Sequence, residues 1–318
     1  MGGGTFTGLD GRQRVRRAAA AVCVALAIAS GCRAAKIPPP PAPNGARAFA
    51  DLEAQVRCGP RVPNSPSAVC ARRFLLEEFG RHAARVALQE FAVADPYGGD
   101  TLRLANVLAH FRPEIPARVL VGAHYDSRPW ADRDTGSARA LAVPGANDGA
   151  SGVAVLLELA RILSGWNPGV GVDLVCFDGE DYGREGDFEF YLLGSKHFAA
   201  TLGAYRPRAM ILLDMVGERG ARFPIEGTSA AHAPELTRLV HAVAESLGAR
   251  CFVPERGPAI MDDHVPFLMA GIPSVDIIDI QYPEWHTTRD LADRCDPETL
   301  AEVARVVLHV LARLRPAE

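Results

Sequence analysis

Two histidines and four carboxylates carry the chemistry available to this sequence: His124, Asp148, Glu180, Asp181, Asp214 and His286. They are far apart in the chain, yet each lies just beyond an apolar run or in a turn. Two imidazoles with three carboxylates form a hard-to-borderline ligand set suited to Zn²⁺. Asp126 falls two residues after His124, on the same side of an extended segment. It can accept the other ring N–H of a ligand histidine. Glu180 and Asp181 are adjacent, so their side chains point in different directions, and one can hold a cation while the other handles a proton. Taken singly, His124 would pass for an interior histidine, Asp148 for a turn residue or helix N-cap, and Asp214 for the end of a strand. That account does not cover five such residues all placed at strand ends.

Strands must place these residues, and the sequence contains suitable ones. Val172–Phe177 is a short apolar run closed by a glycine turn, as expected of a central strand, and it delivers Glu180 and Asp181. Arg118–Ala123 leads into His124, Arg208–Leu213 into Asp214, and Pro273–Ile280 precedes His286. Val86–Ala94 and Thr101–Phe111 alternate like antiparallel strands. Helices are expected as a pair across Ala46–Phe79, then at Val153–Leu163, Ser195–Leu202, Pro234–Leu247, Asp263–Ala270 and Pro297–Arg315. Pro144–Gly152 reads as a glycine-rich turn that opens into the Val153 helix and holds Asp148. Strands alternating with helices predict an α/β fold in which helices sandwich a mixed central β-sheet, with ligands at the carboxyl ends of its strands. No internal repeat is present.

With 318 residues, 48% hydrophobic and 23% charged, the chain has the composition of one large globular domain. A net charge of -4 gives no reason to expect nucleic acid as a partner. Residues 1–32 are read apart from the fold. Arg12, Arg14, Arg16 and Arg17 precede the apolar run Ala18–Ala29, which is too short to span a bilayer comfortably and ends in Ser30-Gly31-Cys32. This layout predicts an exported, cell-envelope lipoprotein or periplasmic protein. The segment resembles a bacterial lipobox with Cys32 as the lipid-bearing residue; ordinary signal cleavage is the alternative, and a single transmembrane anchor the weaker rival. Membrane contact is expected only through the lipid anchor. Residues 33–45 read as a stiff polyproline spacer, unable to pack, and residues 46–318 as the catalytic domain.

Of seven cysteines, Cys58 and Cys70 flank a proline-rich turn and in an oxidising compartment could close it as a disulfide. Cys176 is expected in the core, and Cys251 and Cys295 could pair or stay free. No C-x-x-C is present, which argues against a thiolate zinc site.

Six collinear motifs carry a family resemblance: His-Tyr-Asp-Ser at 124–127, Gly-Ala-Asn-Asp-Gly-Ala-Ser-Gly at 145–152, Phe-Asp-Gly-Glu-Asp at 177–181, Leu-Leu-Asp-Met-Val-Gly at 212–217, Asp-Asp-His-Val-Pro-Phe at 262–267 and Trp-His-Thr at 285–287. The chain from about Pro60 onward resembles the M28 zinc peptidase family, and within it the glutaminyl-peptide cyclotransferase branch. The resemblance implies that Asp148, Asp181 and His286 hold one zinc and that Glu180 transfers the proton. It places His124 and Asp214 at the positions that complete a second zinc site in the aminopeptidases, so one zinc is expected and a second remains open. Asp262 matches the acidic position of the cyclotransferases, where it joins a buried network with the residue matching Asp214. Trp285 matches an indole that lines the substrate pocket. The tryptophan that the animal enzymes carry after the paired carboxylates is missing from Tyr182–Phe190. The implied activity converts N-terminal glutamine of peptides or proteins to pyroglutamate, in a chain expected to be monomeric. The alternative is a zinc aminopeptidase. A third reading, an adhesion or scaffold ectodomain, is disfavoured because a purely structural metal needs no base at Glu180.

Overall fold

The computed structural model describes residues 1, 2 and 37–315. The basic segment, the apolar run and the lipobox-like Cys32 lie outside the described residues. Among the described residues, no helix is long and apolar enough to cross a membrane. Within them the chain forms α1 (Gly45–Val56), α2 (Pro66–Gly80), β1 (Arg85–Ala94), β2 (Thr101–Phe111), β3 (Arg118–His124), α3 (Ala150–Leu163), β4 (Gly171–Phe177), α4 (Leu193–Ala200), β5 (Met210–Asp214), β6 (Phe223–Ile225), α5 (Gly227–His232), α6 (Pro234–Ser246), β7 (Phe252–Arg256), α7 (Val265–Met269), β8 (Ser274–Ile278) and α8 (Pro297–Leu311).

Six strands make the main sheet in the order β1-β2-β4-β3-β5-β8. The first two junctions are antiparallel, and β4, β3, β5 and β8 run parallel. Burial explains the composition of the parallel part. Every residue of β4, β5 and β8 is buried, which requires helices on both faces and apolar runs rather than alternation. On one face Leu120, Val175, Phe177, Met210 and Leu212 pack against Phe198, Leu202, Phe267 and Ile272 from the region of α4 and α7. On the other face α3 lies so close that a Cβ at Gly152 would stand 2.2 Å from the Leu213 carbonyl and 2.8 Å from Ala123 Cβ. Helices α1 and α8 pack outside α3. Phe177 is fully buried at the centre of the first face, and truncating such a ring costs about 3–5 kcal/mol.

The expected mixed sheet between helices is therefore present. A second, two-stranded sheet of β6 and β7 was not expected. Its strands contain Pro224 and Pro254, which break the strand pattern in the sequence and are tolerated here at a short edge. The proline spacer also differs from expectation, because its described part is docked. The Trp166 indole N–H donates to the Pro38 carbonyl (2.9 Å), and the Asn44 amide donates to Glu158 Oε1 (2.7 Å). An extended proline segment has no internal hydrogen bonds, so its carbonyls are free to accept such a donor. Cys58 and Cys70 form the expected disulfide, while Cys176, Cys251 and Cys295 are free.

Candidate metal centre

The carboxyl ends of β3, β4 and β5 converge, and the polar side chains gather there. His124 closes β3 and Asp214 closes β5. After β4 the chain turns at Gly179, whose φ of 74° suits glycine, and presents Glu180 and Asp181. Asp148 sits in the turn before α3. That turn passes so close to the β3 segment that a Cβ on Gly149, at φ 100°, would lie 2.5 Å from the Asp126 carbonyl. His286 arrives on the loop after β8 with a left-handed backbone, φ 58°.

Two groups share Asp148. His124, Asp148 and Asp214 form one, and Asp148, Asp181 and His286 the other, each with ligand atoms within 4.8 Å of one another. They differ in how far they are already satisfied. His124 Nε2 lies 3.1 Å from Asp148 Oδ1 and 3.2 Å from Asp214 Oδ1, so that group closes through its own polar contacts. His286 Nε2 stands 3.4 Å from Asp181 Oδ2 and 3.8 Å from Asp148 Oδ2, and both oxygens are buried without a hydrogen-bond partner. Two orphaned carboxylate oxygens and one imidazole nitrogen facing a common point fit a tetrahedral Zn²⁺ with its fourth position open.

Carboxylates dominate the electrostatics at both imidazoles. Burial alone would lower the His124 pKa, but Asp126, Asp148 and Asp214 raise it well above the usual histidine range. Burial likewise opposes His286, yet Asp181, Asp132 and Asp148 push it up to about 9. Asp181 is held below the ordinary carboxylate range against its burial, mainly by His286 and Arg128. Burial, followed by the neighbouring Asp181 carboxylate, raises Asp148.

Outer contacts orient these groups. Asp126 lies 3.4 Å from His124 Nδ1, where sequence reasoning puts it, and also accepts the amides of Glu180 (3.0 Å) and Asp181 (3.2 Å). Several contributors were not anticipated. Asp132 stands 3.2 Å from His286 Nδ1. Arg128, fully buried, donates to Asp181 Oδ1 (2.6 Å), to the Gly183 carbonyl (3.0 Å) and to Asp132, leaving Asp181 Oδ2 free for a cation. Asp290 accepts the amides of Asn147 (2.8 Å) and Asp148 (3.1 Å) and the Tyr282 hydroxyl (2.8 Å). Asp132 and Arg128 belong to a loop of ordinary polar composition, and the fold turns both side chains inward.

Arg61 was also missed, although it lies inside the Cys58–Cys70 loop. Its guanidinium donates to the carbonyls of Tyr125 (2.9 Å), Pro144 (2.7 Å) and Gly145 (2.5 Å), which ties the start of the Asp148 turn to the segment after His124.

The open side of the centre is a cavity of about 100 Å³ lined by Glu180, Tyr191, Asp214, Ile260, Met261, Asp262, Ile280, Trp285 and the second metal group. Glu180 is raised well above the usual carboxyl range, first by burial and then by Asp181, Asp262 and Asp263, against the pull of His124. Burial and the Asp214 carboxylate raise Asp262 in the same way. Asp263 accepts the Ser195 hydroxyl. Asp276, from β8, extends the acidic network and was not anticipated from the sequence. Trp285 is tilted against His286, with ring centres 4.0 Å apart. The residues that the sequence assigns to the site, from His124 to His286, therefore gather at the carboxyl ends of the parallel strands.

Comparison with known proteins bears on that site. The model of peptidase family M28 matches residues 106–311. A glutaminyl-peptide cyclotransferase of Bos taurus is 27% identical over 285 residues, covering 78% of this chain and 76% of that protein. Among solved structures, Tannerella forsythia glutaminyl cyclase superposes with a TM-score of 0.81 at 39% identity, over 86% of this chain and 99% of the other. A Zn-dependent exopeptidase from Parabacteroides distasonis gives 0.81 at 36% identity, over 85% and 98%.

Proposed function

The chain belongs to peptidase family M28, and we propose that it is a zinc-dependent glutaminyl-peptide cyclotransferase, converting N-terminal glutamine of peptides to pyroglutamate with release of ammonia. The observation that carries this reading is the contrast between the two groups that share Asp148. The His286 group leaves buried oxygens open to a cation, whereas the His124 group is closed by its own contacts. Asp148, Asp181 and His286 would hold one Zn²⁺, which supplies Lewis-acid polarisation of the glutamine side-chain carbonyl.

The chain's own residues do the rest. Cyclisation joins the α-amine nitrogen to the side-chain amide carbon and breaks the bond from that carbon to the departing nitrogen. Glu180 takes a proton from the amine and returns it to the leaving ammonia. A carboxyl raised by burial suits both halves of that task. Asp262, held above the ordinary carboxyl range by burial and then by the Asp214 carboxylate, provides a hydrogen-bonding position for the amine where an aminopeptidase would place a second cation. The apolar wall of Ile260, Ile280 and Trp285 keeps water away from a nucleophile already tethered to its electrophile, so proximity supplies much of the rate. The Cys32 lipid anchor and export from the cytoplasm belong to the same proposal, and the peptide amino terminus is the expected partner.

The presence of His124 and Asp214 beside Asp148 favours the second reading, a two-zinc aminopeptidase. Metal content and the products from a Gln-initiated peptide separate the two. One zinc per chain and loss of ammonia are expected. Two zincs with release of the free amino-terminal residue would overturn the cyclotransferase reading.

A further inference from the structure

The rim of the cavity carries one cation that the catalytic account does not use. Arg133 follows Asp132, and its amide donates to the His286 carbonyl (3.2 Å). Its guanidinium lies 5.0 Å from the centre of the Trp285 ring, the same indole that lines the cavity and leans on His286. Arg133 is exposed and forms no ion pair among the described residues. The carboxylates around it are taken. Asp132 is held by Arg128, and Arg289 spans Asp134 (2.6 Å) and Glu284 (2.7 Å). Arg184 also stacks on aromatic rings, those of Tyr97 and Trp130, but its own loop carries Glu185, Asp187 and Glu189, which offset its charge.

The lining therefore changes character along the path of a bound peptide. The floor carries the carboxyl groups of Glu180, Asp214 and Asp262, which offer hydrogen bonds to the amine end of a substrate. The Trp285 side of the rim is cationic. The Arg133 guanidinium sits over the indole and, among the described residues, makes no side-chain hydrogen bond, so its N–H groups are available to a planar carboxylate. An extended chain advances about 3.3–3.6 Å per residue, so with the glutamine amide beside His286 the next one or two residues come within reach of Trp285 and Arg133. We propose that Arg133 is a specificity-determining residue that recognises an acidic side chain in the first two residues after the N-terminal glutamine. The inference rests on the cyclotransferase reading above.

The test compares kcat/KM for ammonia release from Gln-Glu, Gln-Ala and Gln-Lys peptide amides. Wild type, Arg133→Gln and Arg133→Glu are assayed at low and high salt, with products identified by mass. For a solvent-exposed ion pair, the wild type should favour Gln-Glu over Gln-Lys by about three- to fivefold at low salt and less at high salt. Arg133→Gln should level the two, and Arg133→Glu should reverse them. Differences in the amine basicity of the substrates are common to all three proteins and cancel in that comparison. Equal wild-type rates with pyroglutamate formed, or a preference retained in Arg133→Gln, would overturn the role of Arg133 and leave the cyclotransferase reading intact. No ammonia from any of the peptides would overturn that reading and the present inference with it.

Discussion

Arg61 offers a sharp test of how the metal centre is held together. Its side chain is fully buried and donates to three main-chain carbonyls, two of which open the turn that carries Asp148. Hydrogen bonds from a charged donor contribute about 1.5–3 kcal/mol each, a gross effect of about 5–9 kcal/mol. Part of this is offset, because the charge sits out of water and its pKa is lowered to about 10, with Asp290, Asp126 and Asp148 countering the burial only in part. Arg61→Met keeps most of the volume, removes the charge and leaves the carbonyls unpaired. A net loss of about 3 kcal/mol is expected, a fall in Tm of roughly 6–12 °C for a domain of this size. Zinc affinity should fall about 10–100-fold, as when an outer contact of a metal ligand is removed. Urea unfolding of the metal-free protein and zinc competition against a chromophoric chelator measure the two effects separately. A loss below about 1 kcal/mol together with zinc affinity within twofold of wild type would refute the reasoning.

Three further outcomes are expected. His286→Ala should lose metal and activity together, while Glu180→Gln should keep metal and lose turnover; near-normal kcat in Glu180→Gln would remove Glu180 from the proton-transfer role. Asp178 is raised to about 7, first by burial and then by Asp126. Because the folded state binds its proton more tightly than the unfolded chain, this group's contribution is complete below about pH 4 and is lost as pH rises towards 7. Unfolding of the metal-free protein across that range should show the decline, and Asp178→Asn should flatten it; an unchanged slope in the variant would contradict the assignment. Mass spectrometry of membrane-fraction protein should find a diacyl- or triacylglyceryl adduct on Cys32, and an unmodified mature terminus at another residue would rule the lipid anchor out.

The parts of the molecule legible in sequence are those where one local signal suffices. Buried strands such as β4 and β5 appear as uninterrupted apolar runs, and the residue after each run falls where a parallel sheet puts its ligands. That logic located His124, Glu180, Asp181, Asp214 and His286, and the glycine-rich turn before a helix located Asp148. Arg128, Asp132 and Asp290 were not legible, because each acts through a partner more than fifty residues away and sits in a stretch of ordinary polar composition. Arg61 was hidden for the same reason, its role depending on main-chain carbonyls that carry no sequence signal. The small β6–β7 sheet escaped because proline interrupts both of its strands.

The docked proline segment sets where the chain enters the domain relative to the centre. Helix α3 begins beside Asp148 and runs 14 residues, about 21 Å, before Trp166 meets Pro38. Helix α1 returns in the opposite sense, from Asn44 beside Glu158 to Gln55, whose side chain donates to the Ala150 carbonyl (3.2 Å). The chain thus joins the domain a full helix length from the catalytic edge, at the far pole. Changes to the chain before Pro38 should therefore leave the geometry of the centre untouched, because that attachment shares no contact with its ligands.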